Sequence, residues 1–214
     1  MNGHALSTKA KRRRFTPIAL TTGVLAAALL SVSMTGTLSG FVASINNTTN
    51  TTATGALIMQ EQNAAGTVTC LSTDGGGLST NTATCATINK LGGTTTPLTP
   101  GVPVSTNITI TNTGTIKANT FTLTPSACTQ SAFGAGGGTA TDLCSKINLT
   151  ITQGAATVYS GTAAALGTTA RTIAGGAAAG VALPFTFTVT LDSSAGNTYQ
   201  NLQASIPLLW TFTS

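Results

Sequence analysis

FTFTVTL, from Phe185, alternates strictly between apolar and hydroxyl side chains, and VSTNITIT, from Val104, follows the same two-residue repeat. A repeat of two belongs to an extended strand, whose successive side chains point to opposite faces. Phe185, Phe187, Val189 and Leu191 therefore share one face, as do Val104, Thr106, Ile108 and Ile110, and each face is predicted to lie on a core. Near the end of the sequence, Ile206, Leu208, Trp210 and Phe212 repeat the pattern in SIPLLWTFTS. Further strands are predicted at Ala56–Gln60, Thr67–Leu71, Thr84–Ile88, Ile116–Thr124, Ile147–Thr152 and Thr157–Ser160.

Turn signals separate these runs: LTPG at Leu98–Gly101, NTG at Asn112–Gly114 and GAGGG at Gly134–Gly138. No segment carries a long helical period. The stretches Ala163–Leu166 and Gly175–Gly180 read as loops or a single helical turn, because glycine weakens anything longer. About ten strands with short loops and no alternating helices predict an all-β fold, an antiparallel jelly-roll-like sandwich with an extended N-terminal segment.

Charge is spread unevenly. Lys9, Lys11, Arg12, Arg13 and Arg14 precede an apolar run from Ile18 to Val32, the layout of an export signal. That run is shorter than the roughly 20 residues a membrane-spanning helix needs, so cleavage is expected, after Ser33 or after Gly40, with a retained signal-anchor as the alternative. From Phe41 onward, Lys90, Lys117, Lys146 and Arg171 balance Glu61, Asp74, Asp142 and Asp192. A neutral body predicts no nucleic-acid partner, and contact with a membrane only during export. The domain plan is then a signal peptide at 1–40, an assembly strand and polar spacer at 41–55, and the sandwich at 56–214.

Cys70, Cys85, Cys128 and Cys144 all follow the export signal, where disulfides are the expectation. Four cysteines admit three connectivities. The local one, Cys70 with Cys85 and Cys128 with Cys144, closes two loops of about 15 residues, each worth roughly 3 kcal/mol, and is preferred to the crossed pairings. Zinc is not expected, since no Cys-x-x-Cys pair is present.

Residues for catalysis are scarce. The one histidine, His4, lies in the leader, which excludes Ser-His-Asp, Cys-His and His-Glu-x-x-His chemistry from the remainder. A paired-carboxylate hydrolase would have to bring together Asp142 and Asp192. Calcium would need more carboxylates than Asp74 or Asp142 has beside it. The expectation is a protein that is not an enzyme and holds no metal or cofactor. Asn47, Asn50, Asn107 and Asn148 head Asn-x-Thr sequons, as chance supplies in a Thr-rich sequence.

Three segments, in order, resemble the TasA/camelysin family of secreted, biofilm-associated fibre proteins. They are GTLSGF followed after a polar tract by TGALIM, then LTPGVPVSTNITITNTGTIKANTFTL, then NTYQNLQASIPLLWTFTS, which with that tract make up about a third of the sequence. Val102 and Asn201 depart from the family pattern, and the four cysteines are not a general feature of it. The resemblance implies a jelly-roll subunit, cut before Phe41 by a dedicated signal peptidase. It also implies that subunits join when the N-terminal segment of one adds as a strand to the next. Camelysin-like members are described as metallopeptidases, an activity for which this sequence offers no histidine after His4.

The residues themselves point the same way. Phe41, Ala43 and Ile45 alternate as a strand would, and Asn46–Thr54 is a polar spacer able to reach roughly 30 Å. The expected partner is a second copy of the chain, with accessory fibre or matrix proteins besides. The alternative is a monomeric secreted binding or adhesion module using the loops Asp74–Leu78 and Phe133–Thr139.

Overall fold

The alternating segments form the longest strands. The computed structural model describes residues 44, 45, 47, 49–93 and 97–214, in two units, Met1–Thr52 and Ala53–Ser214. In the first unit the described residues are exposed and lack regular secondary structure. Lys9, Lys11, Arg12, Arg13 and Arg14, the apolar run 18–32, Phe41 and Ala43 lie outside the described residues.

The second unit carries β1 (Met59–Asn63), β2 (Thr69–Leu71), β3 (Pro103–Asn112), β4 (Thr120–Pro125), β5 (Thr129–Ala132), β6 (Ile147–Gln153), β7 (Ala156–Thr162), β8 (Arg171–Thr172), β9 (Ala182–Leu191), β10 (Leu202–Ser205) and β11 (Leu208–Thr213). Its short helices are α1 (Leu143–Lys146), α2 (Ala163–Leu166) and a single 3-10 turn at Asn197–Tyr199. One antiparallel sheet has six strands in the order β2-β1-β3-β9-β6-β7, and a second has three in the order β11-β4-β8. β10 pairs with β5, and the amide of Ser126 donates to the carbonyl of Pro207 at 2.8 Å. That bond joins β4–β5 and β10–β11 into one long antiparallel ribbon.

The all-β sandwich predicted from the alternation is thus the fold. Ile108, Ile110, Leu149, Ile151, Phe185, Phe187 and Val189 are almost wholly buried on the inner face of the larger sheet. Phe121 and Leu123 of β4 meet them from the other layer. Phe121 stands edge-on to Phe185 with centroids 5.8 Å apart, and Trp210 lies 4.8 Å from Phe185. Such offset aromatic pairs add about 0.5–1.5 kcal/mol each beyond area burial.

Three strand predictions need correction. Ala56–Gln60 slides to Met59–Asn63, because the carbonyls of Ala56 and Ile58 accept from Thr115 and Thr113 of the β3–β4 loop instead of a ladder. Ile116–Thr124 begins only at Thr120, where pairing with β11 starts. Thr84–Ile88 is not a strand: among the described residues its ties are the Cys85 disulfide, the Thr87 hydroxyl beside it and the bond from Lys90 Nζ to the Ile88 carbonyl, none of them a ladder. β5, β8 and β10 were not anticipated, being short and polar or weakly alternating.

Asn112, read from sequence as a turn residue, is fully buried. Its amide donates to the carbonyls of Ile116 at 2.8 Å and Ala177 at 3.0 Å, and its carbonyl accepts from the amide of Gly114 at 3.0 Å. Gly114 is required there because a Cβ would run into the backbone carbonyl of Ala56.

Candidate functional site

The second sheet stops at β11, and its last strand is unguarded. Leu208 faces Pro125, which has no amide to give, so this pair is not hydrogen-bonded and the backbone groups of Leu208 point outward. At the other end of the run the carbonyl of Asn201 accepts from the amide of Phe133, so Asn201 faces its partner. The carbonyl of Pro207 accepts from Ser126 on the same side. Alternation then turns the N–H and C=O of Leu202, Ala204, Ile206, Leu208, Trp210 and Phe212 to the open edge. The proline normally used to blunt an edge has its missing donor on the paired side, so the open edge loses nothing.

The same six side chains point into the sandwich. Ile206 is buried, while Leu202, Ala204, Leu208, Trp210 and Phe212 stay partly exposed because no strand lies beyond them. The indole Nε1 of Trp210 is buried without an acceptor. Leu209, on the outer face, is 58% exposed.

Other edges are protected. β2 is three residues long, β8 is two and carries Arg171, and the β6–β7 ladder is broken by a bulge after Ile151. Short strands, charges and bulges all discourage pairing with another chain. The outer edge of β10–β11 has none of these, and no charge lies anywhere from Leu202 to Ser214.

Beside this edge opens a cleft of about 1070 Å³. Its floor is the inner face of β6 and β9, where Ile147, Leu149, Val189 and Leu191 lie, and its far wall is the segment 83–91. A strand occupies about 4.8 Å of sheet width and about 10 Å of layer thickness, so five residues fill roughly 800 Å³. The cleft therefore has room for one short strand. Among the described residues, Lys90 is the one charged side chain lining it.

Lys90 is already matched. Its Nζ lies 2.6 Å from Glu61 Oε1, and both side chains keep about a tenth of their surface. The approach is close but off the direction of a hydrogen bond, so the attraction is mainly that of opposite charges. Glu61 sits on the core face of β1, opposite the buried Ile110. Sequence reading missed this pair because its two members lie on different elements.

Each remaining carboxylate has a local task. Asp74 accepts from the amide of Leu71 at 2.7 Å. Asp192 accepts from the hydroxyl and amide of Ser194, which hold its carboxyl below the usual range. Asp142 accepts from the hydroxyl of Tyr199 at 2.7 Å, which pushes that phenol upward, with Asp192 adding to the shift. Asp142 and Asp192 thus both act on Tyr199, but as structural anions at the rim. Among the described residues no three metal-binding side chains come together.

The cysteines pair locally. Cα–Cα separations are 5.8 Å for Cys70–Cys85 and 6.0 Å for Cys128–Cys144, which sets the crossed pairings aside. Two such bridges suit an oxidising, non-cytosolic compartment, and among the described residues no helix is long and apolar enough to cross a membrane. Asn107 and Asn148 are exposed on the outer face of the large sheet, and Asn47 and Asn50 are exposed in the first unit, as is Ile45 at 92%.

No family model matches the chain, and no curated protein is similar to it.

Proposed function

We propose that the protein is a secreted structural subunit that joins copies of itself into extracellular fibres or pili, at the cell surface or in a biofilm matrix. An N-terminal segment of one copy adds as a strand along β10–β11 of the next. The observation carrying this reading is the unguarded edge itself, six outward backbone pairs, four of whose side chains (Leu202, Ala204, Ile206 and Leu208) border a cleft with room for one strand. Phe41, Ala43 and Ile45 supply the alternation such a strand needs, and the likeness to the TasA/camelysin segments agrees with it. Main-chain hydrogen bonds would give affinity, and apolar side chains seated in the cleft would give register. The reading assigns the protein no catalytic role and no cofactor.

Deleting Phe41–Ile45 from the mature protein should leave a folded, disulfide-bonded monomer that forms no filaments by electron microscopy. Unchanged filaments would exclude strand addition by this segment.

A monomeric binding or adhesion module is the second reading. It is favoured by Leu78 and Phe133, exposed by 58% and 42% in the two glycine-rich loops. It predicts a monomer at every concentration in light scattering.

A further inference from the structure

The wall of the cleft facing β10–β11 is a second stretch of backbone outside any ladder; among the described residues its one partnered group from Thr84 to Ile88 is the carbonyl of Ile88, which accepts from Lys90 Nζ at 3.2 Å. TCATI, Thr84–Ile88, has the β-branched and alternating character of a strand. Yet among the described residues no backbone–backbone hydrogen bond involves residues 82–91. Thr84, Ala86 and Thr87 are exposed, so their backbone groups are open to water or to an incoming strand.

The segment is nonetheless held firmly in place. Cys85 is bonded to Cys70 of β2, Ile88 is 6% exposed in the core, and Lys90 is paired with Glu61 of β1. With ties at both ends and one between, the segment cannot swing aside as a lid. It and residues 202–209 line the same cleft, which is the lane open to an added strand.

Resting on the assembly reading above, we infer that Thr84–Ile88 is a second docking edge. A strand from a neighbouring copy pairs with β10–β11 on one side and with Thr84–Ile88 on the other, closing the second sheet. The occupant is an N-terminal segment of a second copy. The lane holds about five residues and its one charged side chain is already matched, so it favours an alternating segment with uncharged side chains over one with acidic or basic side chains. FVASI, ahead of the second unit and separated from it by the polar spacer, is such a segment.

The test compares amide hydrogen exchange in monomer and polymer of the full mature protein. Amides of Thr84–Ile88 should exchange at least ~10-fold more slowly in the polymer, together with those of Leu208, Trp210 and Phe212. Ala86→Pro removes a donor that nothing uses in the monomer, and should raise the critical concentration ~10-fold while leaving monomer melting unchanged. If β10–β11 gains protection and Thr84–Ile88 does not, or if Ala86→Pro polymerises like the parent protein, the second edge is refuted and the assembly reading stands. If no polymer forms under any condition, both are refuted.

Discussion

Lys90→Met is the most informative single change, because it separates a buried ion pair from a surface one. Removing one partner of a buried pair leaves the other charge desolvated and uncompensated, at about 3–5 kcal/mol. Lys90 and Glu61 each keep about a tenth of their surface, so the lower end applies, about 3 kcal/mol. For a domain of this size that lowers the melting temperature by roughly 6–12 °C. Glu61→Leu combined with Lys90→Met replaces both charges by apolar groups on a core-facing site, and should return stability to within about 1 kcal/mol of the parent or above it. Urea unfolding of the four proteins of the cycle measures the coupling directly. A cost below about 0.5 kcal/mol for Lys90→Met would mean the pair behaves as an exposed one, and the anchoring of the cleft wall through Glu61 would have to be abandoned.

Three further outcomes follow from the packing and hydrogen bonding. Phe121→Ala removes a fully buried ring in contact with Phe185, Trp210 and Phe212, and should cost about 3–5 kcal/mol in urea unfolding; a loss below 1 kcal/mol would contradict the packing described. Asn112→Ala strands the amide of Gly114 and the carbonyl of Ile116 and leaves Ala177 with the amide of Ala118 alone, and should cost about 3 kcal/mol by the same assay. Tyr199 is raised by its bond to Asp142, so its contribution is complete below the unfolded value of about 10 and disappears as pH rises through the higher folded value. The parent should therefore lose denaturant resistance more steeply than Tyr199→Phe in that alkaline range, and parallel curves would count against the bond. Tyr159, also raised, by burial, contributes in both proteins.

What the sequence made legible was the side-chain period. β3, β9 and β11 were evident because burial on one face forces alternation, and the alternation of Ile206 to Phe212 runs back through Ala204 to Leu202 in the structure. Thr84–Ile88 carries the same period without the ladder, since a period reports which face is buried and not whether a neighbour is present. Asn112 looked like a turn because its hydrogen-bond partners come from Gly114, Ile116 and Ala177, the last of them 65 positions away. The open edge itself was legible only as a lack of charge from Leu202 to Ser214; which side of the strand is free depends on Pro125 and Ser126, on another strand.

The charge pattern at the cleft makes a last prediction about assembly. The side chains from Phe41 onward are formally neutral in sum, those of FVASI carry no charge, and the charged side chain lining the cleft is already paired. Association by β10–β11 then has no long-range electrostatic attraction for salt to screen and no like charge for salt to relieve. Between about 0.05 and 0.5 M sodium chloride the Debye length falls from roughly 14 to 4 Å, yet the critical concentration should change by less than about twofold. Sulfate strengthens apolar burial, so if the proposed seating of Phe41, Ala43 and Ile45 drives assembly, ammonium sulfate should lower it. Sedimentation of polymer from soluble protein across a salt series measures both. A critical concentration that climbs tenfold with sodium chloride would require charged contacts, which this edge does not offer, and would move the interface elsewhere on the molecule.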